Sequence, residues 1–313
     1  MNAAFLPLNF LARHGRLVLV AGLVVGIVFP TLARSLQPLI PQAAALMLFV
    51  TALRIGPREA LGRLSQMRTS LGAVAVFQVA VPCLFAIVFK MIGFHGPVAN
   101  AIVLATTAPP ISGSPNLVIL TGNDPAPALR TLIAGTALLP LTIFPAFILW
   151  PDFGDAGAVL HSSFRLLALI AGATALAFLI RAYLLRNPAP PTLTAIDGLS
   201  VLAMALVVIA LMADFGPALI DRPGLLALTL VAAFALNFGL QLFVFAGIRL
   251  TGLSDGHDVA YAIPAGNRNI MLFIAALPAA LTSPLLLFVA CYQIPMYLTP
   301  LLLGRLYRRK SVD

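Results

Sequence analysis

One six-residue stretch, Pro264 to Asn269 with the sequence PAGNRN, carries polar chemistry inside a long apolar segment. It combines a proline, a glycine, two amides and Arg268, whose guanidinium is always charged in proteins. Unwound polar backbone is tolerated at membrane depth only where protein covers it or where it lines a cavity. A charged side chain near the bilayer middle usually marks the path of a substrate or an ion. We therefore expect this stretch to be half of a binding site.

Arg268 has a second interpretation, in which its side chain extends along a helix and places the charge among lipid headgroups. It lies about ten residues into the apolar segment, which is too central for that reach. We therefore favour a fixed cation that faces a cavity. Asn267 and Asn269 on either side have two open roles, because they could orient a ligand or join two interrupted helices.

A second interrupted segment, Pro109 to Asn116 with the sequence PPISGSPN, is the candidate for the other half of the site. Its three prolines remove three backbone donors and disfavour helix in the residues before them. Ser112, Ser114 and Asn116 could then supply side-chain ligands around the gap. The alternative is a simple proline kink, in which the serines bond to neighbouring carbonyls, and the pairing with a second break argues against it.

The elements that must position these residues are membrane helices. The chain has 313 residues, of which 61% are hydrophobic and 9% are charged, and this excludes an ordinary soluble domain. A helix needs about 20 apolar residues to cross a bilayer, and ten stretches qualify. Their linkers leave no room for a separate soluble domain. The ten predicted spans are Leu17–Ala33, Pro38–Leu53, Thr69–Ile92, Val98–Leu120, Ala128–Trp150, Ser162–Leu185, Ile196–Phe215, Leu225–Ile248, Val259–Ala280 and Pro284–Leu306.

The distribution of positive charge tests this count. A net charge of +9 would suggest a nucleic acid partner elsewhere, but here the basic residues lie in short loops and we expect none. With ten spans, 14 of the 19 basic residues fall on the side of both termini and one, Arg268, falls within the membrane. Because basic loops stay in the cytoplasm, the sequence predicts a protein of the plasma (inner) membrane with both termini cytoplasmic. The four basic residues on the opposite side are Arg34, Lys90, Arg165 and Arg222.

An internal repeat organises the spans. Two prolines five residues apart occur in span five, as Pro140 and Pro145, and again 155 residues later in span ten. The interrupted segment of span four recurs in span nine at an offset of 151 residues, from Asn116 to Asn267. Because five spans are an odd number, the second repeat enters the membrane from the opposite side. We therefore predict an all-α integral membrane fold of ten transmembrane helices in two inverted five-helix repeats, residues 1–150 and 151–313, with broken helices four and nine crossing at the midplane.

This plan resembles the bile acid:sodium symporter family, within the wider bile/arsenite/riboflavin transporter superfamily. The likeness covers nearly the whole chain, but it is sharpest at the two breaks and in the GNRN segment that begins at Gly266. The resemblance implies a secondary transporter that works by alternating access, with a four-helix panel rocking against a six-helix core. It also implies small organic anions as substrates, such as bile acids, pantoate or pyruvate-like acids, carried together with sodium.

The chain departs from the family pattern at the positions that matter for sodium. The fourth-helix break of the family usually reads Pro-Gly-Gly, a small pair and Ser-Asn. Pro110 and Asn116 match this pattern, but Pro115 stands where the sodium-binding serine is expected. In span nine, Pro264 stands at the glutamate of the family and Arg268 at its glutamine. The family's sodium sites therefore carry over only in part.

The residues that the resemblance offers for ion binding are Gln78, Asn116, Thr131 and Thr136. All ten acidic residues fall at predicted span ends or in loops, so none offsets a sodium ion in the membrane middle. Neutral oxygens can still hold sodium, but an arginine in the same place repels it. We hypothesise that Arg268 takes the role of the coupling cation and attracts the substrate directly. Transport would then be independent of sodium or use one remaining sodium site.

Other classes of function are weighed against this one. A sodium-coupled organic acid symporter is the first alternative. An intramembrane enzyme needs a nucleophile with a base, a carboxylate pair or a metal cluster, whereas the four histidines lie at span ends. A channel is disfavoured because paired broken helices are typical of carriers. Exporters of arsenite-like oxyanions rely on a cysteine in span four, whereas Cys83 lies in span three. We expect no cofactor and no enzymatic activity, and the sequence does not specify the substrate, the direction of transport or the oligomeric state.

Overall fold

The computed structural model describes residues 6–61, 67–153, 156–252 and 257–307, and these residues are helical, without strands. A π-helical segment, Val76–Ala80, joins α5 to α6, and four 3-10 turns lie at Gln37–Leu39, Pro151–Phe153, Met212–Asp214 and Ser283–Leu285. The α-helices of the described residues are α1 Leu6–Arg13, α2 Gly15–Val28, α3 Pro30–Leu36, α4 Ile40–Leu61, α5 Met67–Ala75, α6 Val81–Ile92, α7 Pro97–Thr107, α8 Ser114–Ile119, α9 Ala126–Leu149, α10 Ala156–Tyr183, α11 Pro190–Leu211, α12 Phe215–Asp221, α13 Pro223–Thr251, α14 Asp258–Gly266, α15 Met271–Ala276, α16 Ala279–Thr282, α17 Leu286–Leu302 and α18 Gly304–Tyr307.

Seven helical stretches of the described residues are long and apolar enough to cross a membrane, which confirms a membrane-embedded helical protein. An eighth is added if α1 and α2, bent by 92° to each other, are counted as one span. Predicted spans four and nine are each divided into helices that are too short to cross a membrane alone. The count of ten and the inverted arrangement stay predictions. The seven stretches are Pro30–Pro57, Met67–Ile92, Ala126–Leu149, Leu160–Tyr183, Pro190–Asp221, Pro223–Thr251 and Ala280–Leu302.

The interruptions of predicted spans four and nine follow from local sequence. Helix α7 ends at Thr107 because Ala108 precedes a proline and adopts an extended conformation, with φ −64° and ψ 147°. Helix α8 begins with Pro115 in its first turn, where its missing N–H costs no hydrogen bond. Helix α14 ends at Gly266, and Asn267 is again extended, with φ −96° and ψ 92°. Residues 108–113 and 267–270 therefore lie outside the α-helices.

The described residues divide into two compact units, and each unit contains pieces of both predicted repeats. One lies within Met1–Gly62, Arg165–Leu226 and Met271–Ala290, and the other within Arg63–Phe164, Ala227–Ile270 and Cys291–Asp313. The units are therefore not the repeats, and the division into repeats at residue 150 stays a prediction.

In the first unit, α11 is the central helix, and α1, α2 and α4 pack against it. Helix α1 approaches α11 so closely that a Cβ atom on Gly198 would lie 2.0 Å from the carbonyl oxygen of Leu8. Towards one end of α11, Arg54 donates to the Asp197 carboxylate at 2.9 Å. This ion pair thus joins α4 to α11.

The second unit holds both interruptions. One of its apolar clusters is formed by α8, α9, α13, α14 and α18, with Val118, Ala128 and Ile263 fully buried. This cluster packs α14 against α9. The candidate functional residues of the two breaks therefore lie in one packed body.

Candidate functional site

The two interrupted segments meet as a short antiparallel pair at Pro110 and Arg268. The Ile111 N–H donates to the Asn267 carbonyl at 2.9 Å, and the Asn269 N–H donates to the Pro109 carbonyl at 2.7 Å. These bonds satisfy backbone groups that broken helices would otherwise leave open in an apolar environment. The breaks are thus joined to each other through their backbones.

The side chain of Arg268 is buried at this crossing, with 2% of its surface exposed. Its Nε donates to the Ala265 carbonyl at 2.6 Å, its Nη1 to the Ala108 carbonyl at 3.0 Å and its Nη2 to the Phe77 carbonyl at 3.2 Å. Its guanidinium carbon also lies 5.4 Å from the centre of the Phe77 ring, within cation–π range. Three charge-assisted hydrogen bonds therefore fix the guanidinium in one orientation.

Two of these carbonyls belong to helix ends. Ala108 follows the last residue of α7, and Ala265 lies in the last turn of α14. The C-terminal end of a helix carries unsatisfied carbonyls and a partial negative charge of about half an electron. The guanidinium thus lies where two interrupted helices point carbonyl oxygens at a common cation.

Acidic side chains do not pair with this charge in the described part of the chain. The ion pairs there join other residues, and the charge of Arg268 is stabilised by neutral carbonyl dipoles instead. These pairs are Arg54–Asp197, Arg249–Asp258 and His257–Asp124.

A buried polar network supports the end of α14. The Gly266 carbonyl accepts hydrogen bonds from Asn237 Nδ2, at 2.7 Å, and from the Tyr292 hydroxyl. Gln241 Nε2 donates to Asn237 Oδ1 at 2.7 Å and to Thr299 Oγ1 at 3.1 Å. Sequence reasoning missed these residues. The available signal was two amides four positions apart in the apolar helix α13, which places both on one face.

Gly266 itself has a packing role that the sequence did not reveal. The residue is helical, so it does not supply flexibility at the break. A Cβ atom at this position would lie 2.1 Å from the carbonyl oxygen of Asn237. The glycine is required because the backbones of α13 and α14 approach each other too closely for any side chain.

The predicted residues on the second break come together at the crossing. Asn267 is buried, and its Nδ2 donates to the Ile263 carbonyl at 2.8 Å, so the side chain caps α14. Asn269 is half-buried and contributes its backbone N–H. Of the two open roles for these asparagines, the structure shows the joining of the helices, carried out by their backbones. Substrate binding by Asn267, Arg268 and Asn269 stays a prediction.

The predicted residues on the first break are more dispersed. Ser114 is fully buried and its hydroxyl has no hydrogen-bond partner among the described residues. Ser112 is half-buried, and Asn116 is exposed on α8. Their roles as substrate or ion ligands stay predictions, and of the three Ser114 has the buried, unpartnered oxygen that a ligand could use.

The predicted ion ligands outside the breaks differ in whether a buried side-chain oxygen lacks a hydrogen-bond partner. Gln78 is buried in the π-helical segment, and its Nε2 donates to the Gly135 carbonyl at 3.2 Å and to the Thr107 carbonyl at 3.4 Å. Its Oε1 is buried without a partner among the described residues. Thr131 is buried and donates to the carbonyl four residues earlier in α9, and Thr136 is half-buried. Gln78 Oε1 is thus the unpartnered oxygen of this set.

The fit to sodium is poor at the crossing itself. Hard cations bind carbonyl oxygens, but those of Ala108, Ala265 and Phe77 already accept from Arg268. A sodium ion at the same place would also be repelled by the guanidinium. Among the described residues, groups of three or more His, Cys, Asp or Glu side chains that could hold a metal ion do not occur.

The sequence matches no protein-family model, and comparison with curated proteins finds no match either. The likeness to bile acid:sodium symporters therefore stays a resemblance of motifs.

Proposed function

We propose that this protein is a secondary transporter of a small organic anion, that it works by alternating access, and that it does not require sodium. The observation that carries this proposal is the position of Arg268. A permanently charged guanidinium lies between the carbonyl ends of two interrupted helices, where a carrier of the resembling family would hold a coupling cation. The side chain takes the place of that ion.

The charge of Arg268 favours an anionic substrate. A monoanion about 5 Å from the guanidinium, at an effective dielectric constant near 20, gains about 3 kcal/mol. That energy corresponds to an affinity increase on the order of 100-fold. Three of the five guanidinium N–H groups are used by carbonyls, so direct contact with a substrate would use the remaining two.

The proposal includes the architecture predicted from the sequence. Ten spans in two inverted repeats, in the plasma (inner) membrane with both termini cytoplasmic, are supported by the 14-to-4 division of basic residues. The interruptions of spans four and nine support a carrier over a channel or an enzyme.

Uptake into proteoliposomes tests the proposal. The purified full-length chain is reconstituted, and uptake of labelled pyruvate, pantoate and taurocholate is measured with an inward sodium gradient and with potassium in its place. We expect at least one of these anions to enter at equal rates in both salts. Strict dependence on sodium would contradict the proposal.

A sodium-coupled symporter is the second candidate, and one observation favours it. The buried, unpartnered Gln78 Oε1 is an oxygen that a sodium ion could use outside the crossing. In that case Gln78→Leu would remove the sodium dependence of uptake, whereas in the proposed carrier there is no sodium dependence to remove. The same proteoliposomes distinguish the two candidates.

A further inference from the structure

The charge of Arg268 differs from that of a bound ion because it cannot dissociate. The side chain is 2% exposed, and a guanidinium stays protonated in proteins. Its hydrogen-bond acceptors are three neutral carbonyls, which solvate the charge but do not cancel it. The crossing of the two interrupted helices therefore contributes a charge of +1 of its own, whether or not an anion lies beside it.

This fixed charge makes the occupied and empty carriers electrostatically different. A buried charge is costly unless an opposite charge lies close to it, and the described ion pairs lie elsewhere. With a monovalent anion beside Arg268, the site is neutral when it closes. Without the anion, the site must close around an uncompensated cation.

A coupling ion avoids this difficulty, because it leaves the protein together with its substrate and the empty carrier then returns uncharged. A side chain cannot leave. The slow step of the cycle should therefore be the return of the empty carrier, and a second anion on the other side of the membrane would accelerate that return.

From the buried, carbonyl-bound guanidinium, we propose that this protein is an exchanger that carries one monovalent organic anion in each direction. The inference rests on the proposed function of anion transport. It adds the mode of transport and a preference for monoanions, because a dianion would leave the closed site with an excess negative charge.

Counterflow in proteoliposomes tests the exchange. The full-length protein is reconstituted in vesicles loaded either with unlabelled pyruvate or with buffered potassium sulfate, and initial uptake of labelled pyruvate is measured. We expect uptake at least about tenfold faster into pyruvate-loaded vesicles, because only those supply an anion for the return step. One-for-one exchange moves no net charge, so a potassium diffusion potential set with valinomycin should not change the rate.

The outcomes separate the inference from the function on which it rests. Protein-dependent uptake at equal rates into both kinds of vesicle, with or without a response to the diffusion potential, would overturn the exchange and leave anion transport in place. If pyruvate, pantoate and taurocholate all fail to enter under either loading, the proposed function fails and the exchange fails with it.

Removal of the charge supplies a second readout. In Arg268→Gln the empty site is uncharged, so we expect the ratio of the two uptake rates, each corrected for uptake into protein-free vesicles, to fall to near one while the residual uptake stays above that background. Arg222→Gln, at an exposed position beyond α12, serves as the control and should keep the wild-type ratio. An unchanged ratio in Arg268→Gln would contradict the inference. If that variant does not reconstitute, the rates and the voltage response of the wild-type protein decide the question.

Discussion

The two interrupted helices reach the same crossing with different chemistry. The first break contributes backbone groups, since the carbonyls of Ala108 and Pro109 accept hydrogen bonds and the Ile111 N–H donates one. The second contributes the Asn267 carbonyl and the Asn269 N–H in the same way, and it adds the guanidinium of Arg268. Two segments that correspond in the predicted repeat therefore differ in what they bring to the crossing, because the second carries a charged side chain and the first does not. Arg268 places a cation between two helix ends as a part of one of them.

The polar side chains around the two breaks also differ in how many of them have hydrogen-bond partners. Around the second break, Asn237 and Tyr292 donate to the Gly266 carbonyl, which anchors the end of α14. Around the first break, Gln78 Oε1 and Ser114 Oγ are buried without partners among the described residues. We infer that the second break is a fixed support, and that open ligand positions are concentrated near the first.

Removal of the guanidinium should have the largest effect. We expect Arg268→Gln to reduce anion uptake on the order of 100-fold, because the substrate loses its Coulomb attraction and three carbonyls lose their donor. Arg268→Lys should retain part of the activity, since it keeps the charge but not the fork of donors. Initial rates in proteoliposomes, normalised to reconstituted protein, measure both, with Arg222→Gln as the control. Uptake by Arg268→Gln at the wild-type rate would remove Arg268 from the site.

Gly266→Ala tests the close approach of α13 and α14. The added Cβ would lie 2.1 Å from the Asn237 carbonyl oxygen, and we expect a loss of about 3 kcal/mol in stability from the forced separation. Gly239→Ala, in the neighbouring helix α13, is the control, because nothing lies within 4 Å of its Cβ position. Thermal unfolding in detergent should show a clear decrease in Tm for the first variant and none for the second. Equal Tm values would contradict the close packing.

Asn237→Leu tests whether the second break is the more tightly supported one. It removes a donor to Gly266 and an acceptor of Gln241 with little change in volume, so we expect a loss of about 2 kcal/mol. Gln78→Leu removes two longer bonds and an unpartnered oxygen, and we expect a loss of about 1 kcal/mol or less. Chemical or thermal unfolding of both variants gives the order. The reverse order would show that the first break depends more on its polar support.

Ser114→Ala should have the smallest effect on stability. The variant removes a buried hydroxyl without a partner among the described residues, so we expect Tm to stay the same or rise slightly, within about 1 kcal/mol. If the hydroxyl binds the substrate, uptake should fall even though stability does not. A decrease in both Tm and uptake would indicate that the hydroxyl has a structural partner instead.

The location of the breaks was predictable because its causes are local. Prolines act on the residue before them, as Ala108 shows, and amides with an arginine in an apolar segment are conspicuous in any sequence. The helical membrane class follows in the same way from composition. The predicted site residues Asn267, Arg268 and Asn269 do come together at the crossing.

The partners of these residues were not predictable, because they are distant in the chain. Arg268 bonds to carbonyls 160 and 191 residues away, and any residue type can offer a carbonyl. The expectation of a guanidinium that faces a cavity therefore missed the backbone as its binding partner. The role of Gly266 depends on a backbone approach from α13, which leaves no periodic pattern in the sequence.

Binding of radioactive sodium to purified wild-type and Arg268→Gln protein tests most directly whether Arg268 replaces a coupling cation. The guanidinium occupies carbonyl oxygens that glutamine would leave open, and it repels a cation at the same place. We predict saturable sodium binding to Arg268→Gln that exceeds binding to the wild-type protein. Binding to the wild-type protein that equals or exceeds binding to Arg268→Gln would contradict the account.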